Sequence, residues 1–125
     1  MVPLKSTLYA LIAFAGLAGG ATAVETSLQL VLELPGNAER NIVRYECDGL
    51  EPFAVDYVNA SPTFLAIVPI EGERLLFANV IAASGARYVS GQYEWWTSGS
   101  DATLTDVTAP EGTEPLSCLE IVDTP

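Results

Sequence analysis

The chain has 125 residues and a mass of 13.3 kDa, room for one ordinary core and not for two. Half of its residues are hydrophobic, which excludes a disordered chain, and five Lys and Arg against sixteen Asp and Glu give a formal net charge of -11. That charge disfavours phosphate backbones and anionic lipid surfaces and favours cationic partners. There is no histidine, so the usual general base near neutral pH and the commonest metal ligand are both missing.

In chain order, Met1 to Lys5 form a short segment with one positive charge, Ser6 to Gly20 are apolar and small, and Ala21-Thr22-Ala23 fits a small-residue cleavage site. The apolar run falls short of the roughly 20 residues that span a bilayer. Residues 1–23 are therefore expected to be a cleaved signal peptide, with a retained N-terminal anchor as the alternative, and residues 24–125 to be the working domain. No Cys follows Leu17-Ala18-Gly19, so a lipid-anchored start is not supported; the expected location is periplasmic or secreted. Cleavage would remove Lys5 and leave Arg40, Arg44, Arg74 and Arg87 as the cations.

The remaining chain reads as strands. Leu28, Leu30, Leu32 and Leu34 alternate with Gln29, Val31 and Glu33, which is period two and not helical spacing. Val43, Tyr45 and Cys47 share one face of the next segment, with Arg44 and Glu46 on the other; Phe53, Val55 and Tyr57 repeat the pattern. Further runs cover 64–70, 74–80, 86–89, 92–97, 102–107 and 118–122. Turn signals punctuate them: Pro35-Gly36-Asn37, Asp48-Gly49, Ser61-Pro62, Glu71-Gly72, Ser90-Gly91 and Ser98-Gly99. Many short strands in about 100 residues imply an antiparallel sandwich or a small closed barrel, and closure would remove exposed strand edges.

Cys47 and Cys118 are the only cysteines. In an oxidising compartment they are expected to form one structural disulfide; a reactive dithiol is the alternative, without the C-x-x-C spacing that usually marks one. A catalytic constellation is not legible. A Ser nucleophile has no His to activate it and, past residue 23, no Lys either. No acidic cluster has calcium-loop spacing, no Gly-rich stretch could cradle phosphate, and sixteen acids generate carboxylate pairs by chance. The expectation is a non-enzyme with no catalytic residue, no metal and no cofactor.

The informative stretch is Ser84-Gly85-Ala86-Arg87-Tyr88, then Tyr93-Glu94-Trp95-Trp96-Thr97-Ser98-Gly99 and Ala102-Thr103-Leu104. With Tyr45-Glu46-Cys47-Asp48-Gly49, Phe53-Ala54-Val55-Asp56-Tyr57 and Cys118, it resembles the membrane-bound and periplasmic inhibitors of c-type lysozyme of Gram-negative bacteria. Their pattern has an S-G-x-[KR]-Y loop, an aromatic strand, a W-x-K-G turn and an A-x-L strand. The resemblance implies an eight-stranded antiparallel β-barrel closed by a disulfide, with the S-G-x-x-Y loop entering the lysozyme cleft. It assigns Ser84 to the catalytic carboxylates, Gly85 to close backbone approach, Arg87 to the basic position and Tyr88 to the aromatic one. The family's second cleft-reaching residue, the Lys of W-x-K-G, falls on Ser98, a departure that removes a positive charge.

The aromatics Tyr93, Trp95 and Trp96 are expected in the core. The implied partner is a c-type lysozyme, a strongly cationic protein to which an acidic domain would be steered. No nucleic acid and no stable membrane anchor are expected, and monomer and homodimer are both open. A barrel of the same build that binds a ligand or an envelope component without inhibiting lysozyme is the alternative function, and Ser98 is the feature that favours it.

Overall fold

The computed structural model describes residue 29 and residues 31–123, of which 32–123 belong to one compact unit. The expected signal peptide and its cleavage point at Ala23 lie outside the described residues. Eight strands follow one another: β1 (Glu39–Cys47), β2 (Phe53–Ala60), β3 (Thr63–Ile70), β4 (Glu73–Val80), β5 (Ala86–Ser90), β6 (Tyr93–Ser98), β7 (Asp101–Asp106) and β8 (Leu116–Glu120). Each pairs antiparallel with the next, and β8 pairs back onto β1, giving a closed barrel. Every regular element among the described residues is a strand, the all-β barrel that the resemblance implies.

Local chemistry accounts for the hairpins. Ile70 and Glu73 pair across a two-residue turn in which Glu71 and Gly72 both have positive φ (51° and 82°), the geometry whose twist matches that of the flanking strands. Similar tight turns join Ser90 to Tyr93 and Ser98 to Asp101.

Alternation then fills the interior. Tyr45, Val55, Tyr57, Ala66, Val68, Phe77, Tyr88, Trp95 and Ala102 are buried in one cluster, with Trp95 and Phe77 fully enclosed. Tyr45 meets the Trp95 ring edge-on at 5.1 Å, an arrangement favoured by the ring quadrupoles. The polar tips of these aromatics are satisfied inside: Trp95 Nε1–H donates to the Tyr57 hydroxyl at 2.8 Å, and the Tyr57 and Tyr45 hydroxyls share a 2.8 Å hydrogen bond. On the outer wall Asp56 is covered by Arg40, whose Nε donates to its carboxylate at 2.9 Å, and Arg74 lies 3.6 Å away. The bonds from Arg40 hold the Asp56 carboxyl below the usual carboxylate range.

The barrel's seam is one of its two shortest pairings. β1 and β8 meet only over Tyr45–Cys47 and Cys118–Glu120, and Cys47 is the direct cross-strand partner of Cys118. The disulfide between them staples this seam across a sequence separation of 71 residues. On a chain-entropy reckoning such a loop is worth about 4 kcal/mol.

One expected strand does not form over the described residues. Leu28 and Leu30 lie outside the described residues, but residues 31–35 are not strand, and Val31, Leu32 and Leu34 are exposed. The period-two pattern fits a strand, but strands need an edge. Residues 31–35 take no place in the ring of eight, although β1 meets β8 only at Tyr45–Cys47 and leaves its first residues paired on one side alone.

Candidate functional site

Ser84 lies in the loop 81–85 that joins β4 to β5, and its side chain is exposed. The loop is held against the end of β6. Trp96 Nε1–H donates to the Ser84 carbonyl oxygen at 3.0 Å, and Gly85, at φ +66°, sits so close to β6 that a Cβ there would collide with the Thr97 carbonyl oxygen. Glycine is required twice over, by its left-handed backbone and by the absent side chain. Just beyond, Ala86 pairs with Thr97 in register. Ser98 is the last residue of β6 and pairs with Asp101 across the Gly99-Ser100 turn. Ser84, Gly85 and Ser98 are thus brought to one end of the barrel.

Arg87 and Tyr88 part company, because neighbours on a strand face opposite sides. Arg87 is on the outer wall, and its Nε lies 2.9 Å from the Glu94 carboxylate on β6. The guanidinium is partly neutralised by the barrel itself. Tyr88 points inward and is 6% exposed, its ring tilted against Tyr57 at 5.7 Å. Burial pushes its phenol up from the ordinary value. Tyr88 is thus mostly enclosed, with its remaining surface on the groove that it lines together with Gly85 and Ile81.

Sequence reasoning missed two residues of this end. Trp96 was grouped with the core aromatics, yet Trp95 and Trp96 are adjacent and only one can face inward. Trp95 is fully buried, while Trp96 is half-buried and braces Ser84. Period two alone could have separated them. Ile81 opens the loop and is 96% exposed, beside a shallow groove also lined by Phe64, Val80 and Gly85. A large apolar side chain held so far into water beside a braced polar loop is a contact-surface feature.

The family described as membrane-bound lysozyme-inhibitor of c-type lysozyme matches residues 45–111. The chain belongs to this family. Its members include a membrane-bound lysozyme inhibitor of C-type lysozyme from Pseudomonas aeruginosa, 44% identical over 93 residues, which are 71% of this chain and 73% of the relative. A protein of the same name from Cupriavidus necator is 42% identical over 73 residues, 58% of each chain. Among solved structures, Pseudomonas aeruginosa MliC in complex with hen egg white lysozyme matches with a TM-score of 0.63 and 37% identity, covering 78% of this chain and all of that one. The matched family segment runs from Tyr45 through β7, so it contains the 81–85 loop, its Trp96 brace and Ser98.

Proposed function

We propose that this protein is an exported inhibitor of c-type lysozyme that offers the loop around Ser84 to the enzyme's active-site cleft. The observation that carries the reading is the match, over its whole length, to a family member solved in complex with hen egg white lysozyme. The loop geometry supports it. A loop already fixed by Gly85 and Trp96 loses little conformational freedom on docking, which is how rigid inhibitors gain affinity. Ser84 supplies a hydroxyl to the catalytic carboxylates, Arg87 offers its remaining N–H donors at the rim, Ile81 supplies apolar contact, and Tyr88 anchors the strand behind the loop.

The relatives are named membrane-bound, and an envelope location follows for this chain on the same reading. Ser98 stands where the family's turn carries Lys, so binding rests on hydrogen bonds and shape more than on a second cation. The test is lysozyme turnover in the presence of the purified protein and of Ser84→Ala. Inhibition by the first, weakened in the second, supports the reading. No inhibition by either leaves the barrel as a non-inhibitory binding module.

A further inference from the structure

The barrel has a second end. In an up-and-down barrel the β1–β2, β3–β4, β5–β6 and β7–β8 connections lie opposite the Ser84 loop, and at that end a cavity of about 370 Å3 opens beside Leu50 and Glu71 of the first two. Its walls are Phe53, Ile70, Tyr93, Leu104 and Leu116, each from a different strand. All five pack against the core from their inner side, but none is buried. Phe53 and Tyr93 are the aromatic parts of its wall, and Phe53 lies 6.1 Å from the buried Trp95 ring behind it. Small barrels normally fill their interior with side chains. Here the core stops short, leaving an apolar cup in the size range of small-ligand pockets, about 300–1,000 Å3.

The charge at the rim gives the ligand's sign. Glu71 and Asp106 line the cup, Glu114 lines the depression that adjoins it through Tyr93, Leu104 and Leu116, and neither is lined by Lys or Arg. Asp106 is a fixed acceptor. Its Oδ1 takes the Thr108 hydroxyl and backbone N–H, its Oδ2 takes the Gln92 amide at 3.0 Å, and these bonds hold the carboxyl below its ordinary range. Oδ2 keeps a lone pair free for one more donor.

We propose that this mouth is a binding site for a small cationic amphiphile, its apolar part entering between Phe53, Ile70 and Leu104 and its ammonium or guanidinium head meeting Glu71 and Asp106. An anionic amphiphile of the same length would bring its head against those carboxylates. Because the cup lies at the far end from Ser84, occupancy leaves the lysozyme-facing loop untouched, and the two sites stand or fall separately.

The experiment is a nuclear magnetic resonance titration of the oxidised protein with octylammonium and, separately, octanoate. The expected result is saturable shifts centred on Phe53, Ile70, Tyr93, Leu104 and Leu116 with the cation, and binding about tenfold weaker with octanoate. Glu71→Gln combined with Asp106→Asn should remove most of that preference. Leu104→Trp, which fills the cup, should abolish binding; should it fail to fold by circular dichroism, the charge variant still decides. Equal binding of the two probes, shifts centred on the outer wall at Ile42 and Leu76, or no saturable shift at all would overturn the proposal.

Discussion

Gly85→Ala is the substitution that most directly tests how the loop is held. Two costs follow from the structure. Alanine at φ +66° occupies the left-handed region, which disfavours an L side chain by about 1–2 kcal/mol. Its Cβ also runs into the Thr97 carbonyl and sits within 3.1 Å of the Trp96 indole nitrogen. The carbonyl belongs to a strand and cannot retreat, so the loop must move away, stretching the Trp96–Ser84 bond, worth about 0.5–1.5 kcal/mol. The expected total is about 2–3 kcal/mol. Gly91→Ala is the control: Gly91 has φ +53° but nothing within 4 Å of a new Cβ, so it incurs the conformational cost alone.

The assay is urea denaturation of both variants beside lysozyme inhibition. Gly85→Ala should lose about 1 kcal/mol more than Gly91→Ala. If displaced Ser84 no longer reaches a charged acceptor, a contribution of about 1.5–3 kcal/mol is forfeited and inhibition should fall by about one to two orders of magnitude. Gly91→Ala should inhibit like the wild type. Equal destabilisation of the two variants, with inhibition intact in both, would refute the claim that close approach to β6 sets the loop.

Ser84→Ala should weaken inhibition by about one to two orders of magnitude with the denaturation midpoint unchanged, because an exposed loop hydroxyl adds little to the core. Ser98→Lys should tighten inhibition, measured against the same lysozyme, by restoring the cation that the family's turn carries, less the cost of desolvating it. The association rate with lysozyme should fall as salt rises, since steering between unlike charges is screened beyond about 8 Å at physiological ionic strength; a rate flat in salt would reduce the acidic surface to a solubility role. Burial raises the phenols of Tyr45, Tyr57 and Tyr88. Their contribution to stability is therefore complete below the unfolded value near pH 10 and is lost as pH rises above it. Alkaline unfolding should coincide with a rise in tyrosinate absorbance.

The strand pattern was legible where large apolar residues alternate with charged ones, as Val43 and Tyr45 do with Arg44 and Glu46 on β1. The same rule misread residues 31–34, the described end of the alternating run, because period two reports a segment's fitness for a sheet and not whether it joins one. At the loop, Ser84, Gly85 and Arg87 were found through a motif, which gives positions but not directions. Adjacent residues on β5 and β6 had to diverge, and that divergence sent Tyr88 inward and Trp96 outward. The partner of Arg87, Glu94, was invisible to sequence because it lies on the next strand, off the direct register by two residues.

The charge of the molecule and the charge of its loop do different work on the proposed reading. A formal net charge of -11 acts at a distance and raises the rate of encounter with a cationic enzyme. At contact it contributes little, because the residues that would enter the cleft are Ser84, Gly85 and Ile81, none of them charged, and Arg87 already shares its guanidinium with Glu94. A cleft built around two carboxylates would repel a locally acidic loop, so an inhibitor with this composition must keep its acids off the docking tip. The fold does this for the loop itself, with Glu71, Asp106 and Glu114 around the other end, while Asp101, exposed across the turn from Ser98, is the acid nearest the docking end. Affinity then rests on hydroxyl hydrogen bonds and preorganisation, which persist in salt, while speed rests on the acidic surface, which does not.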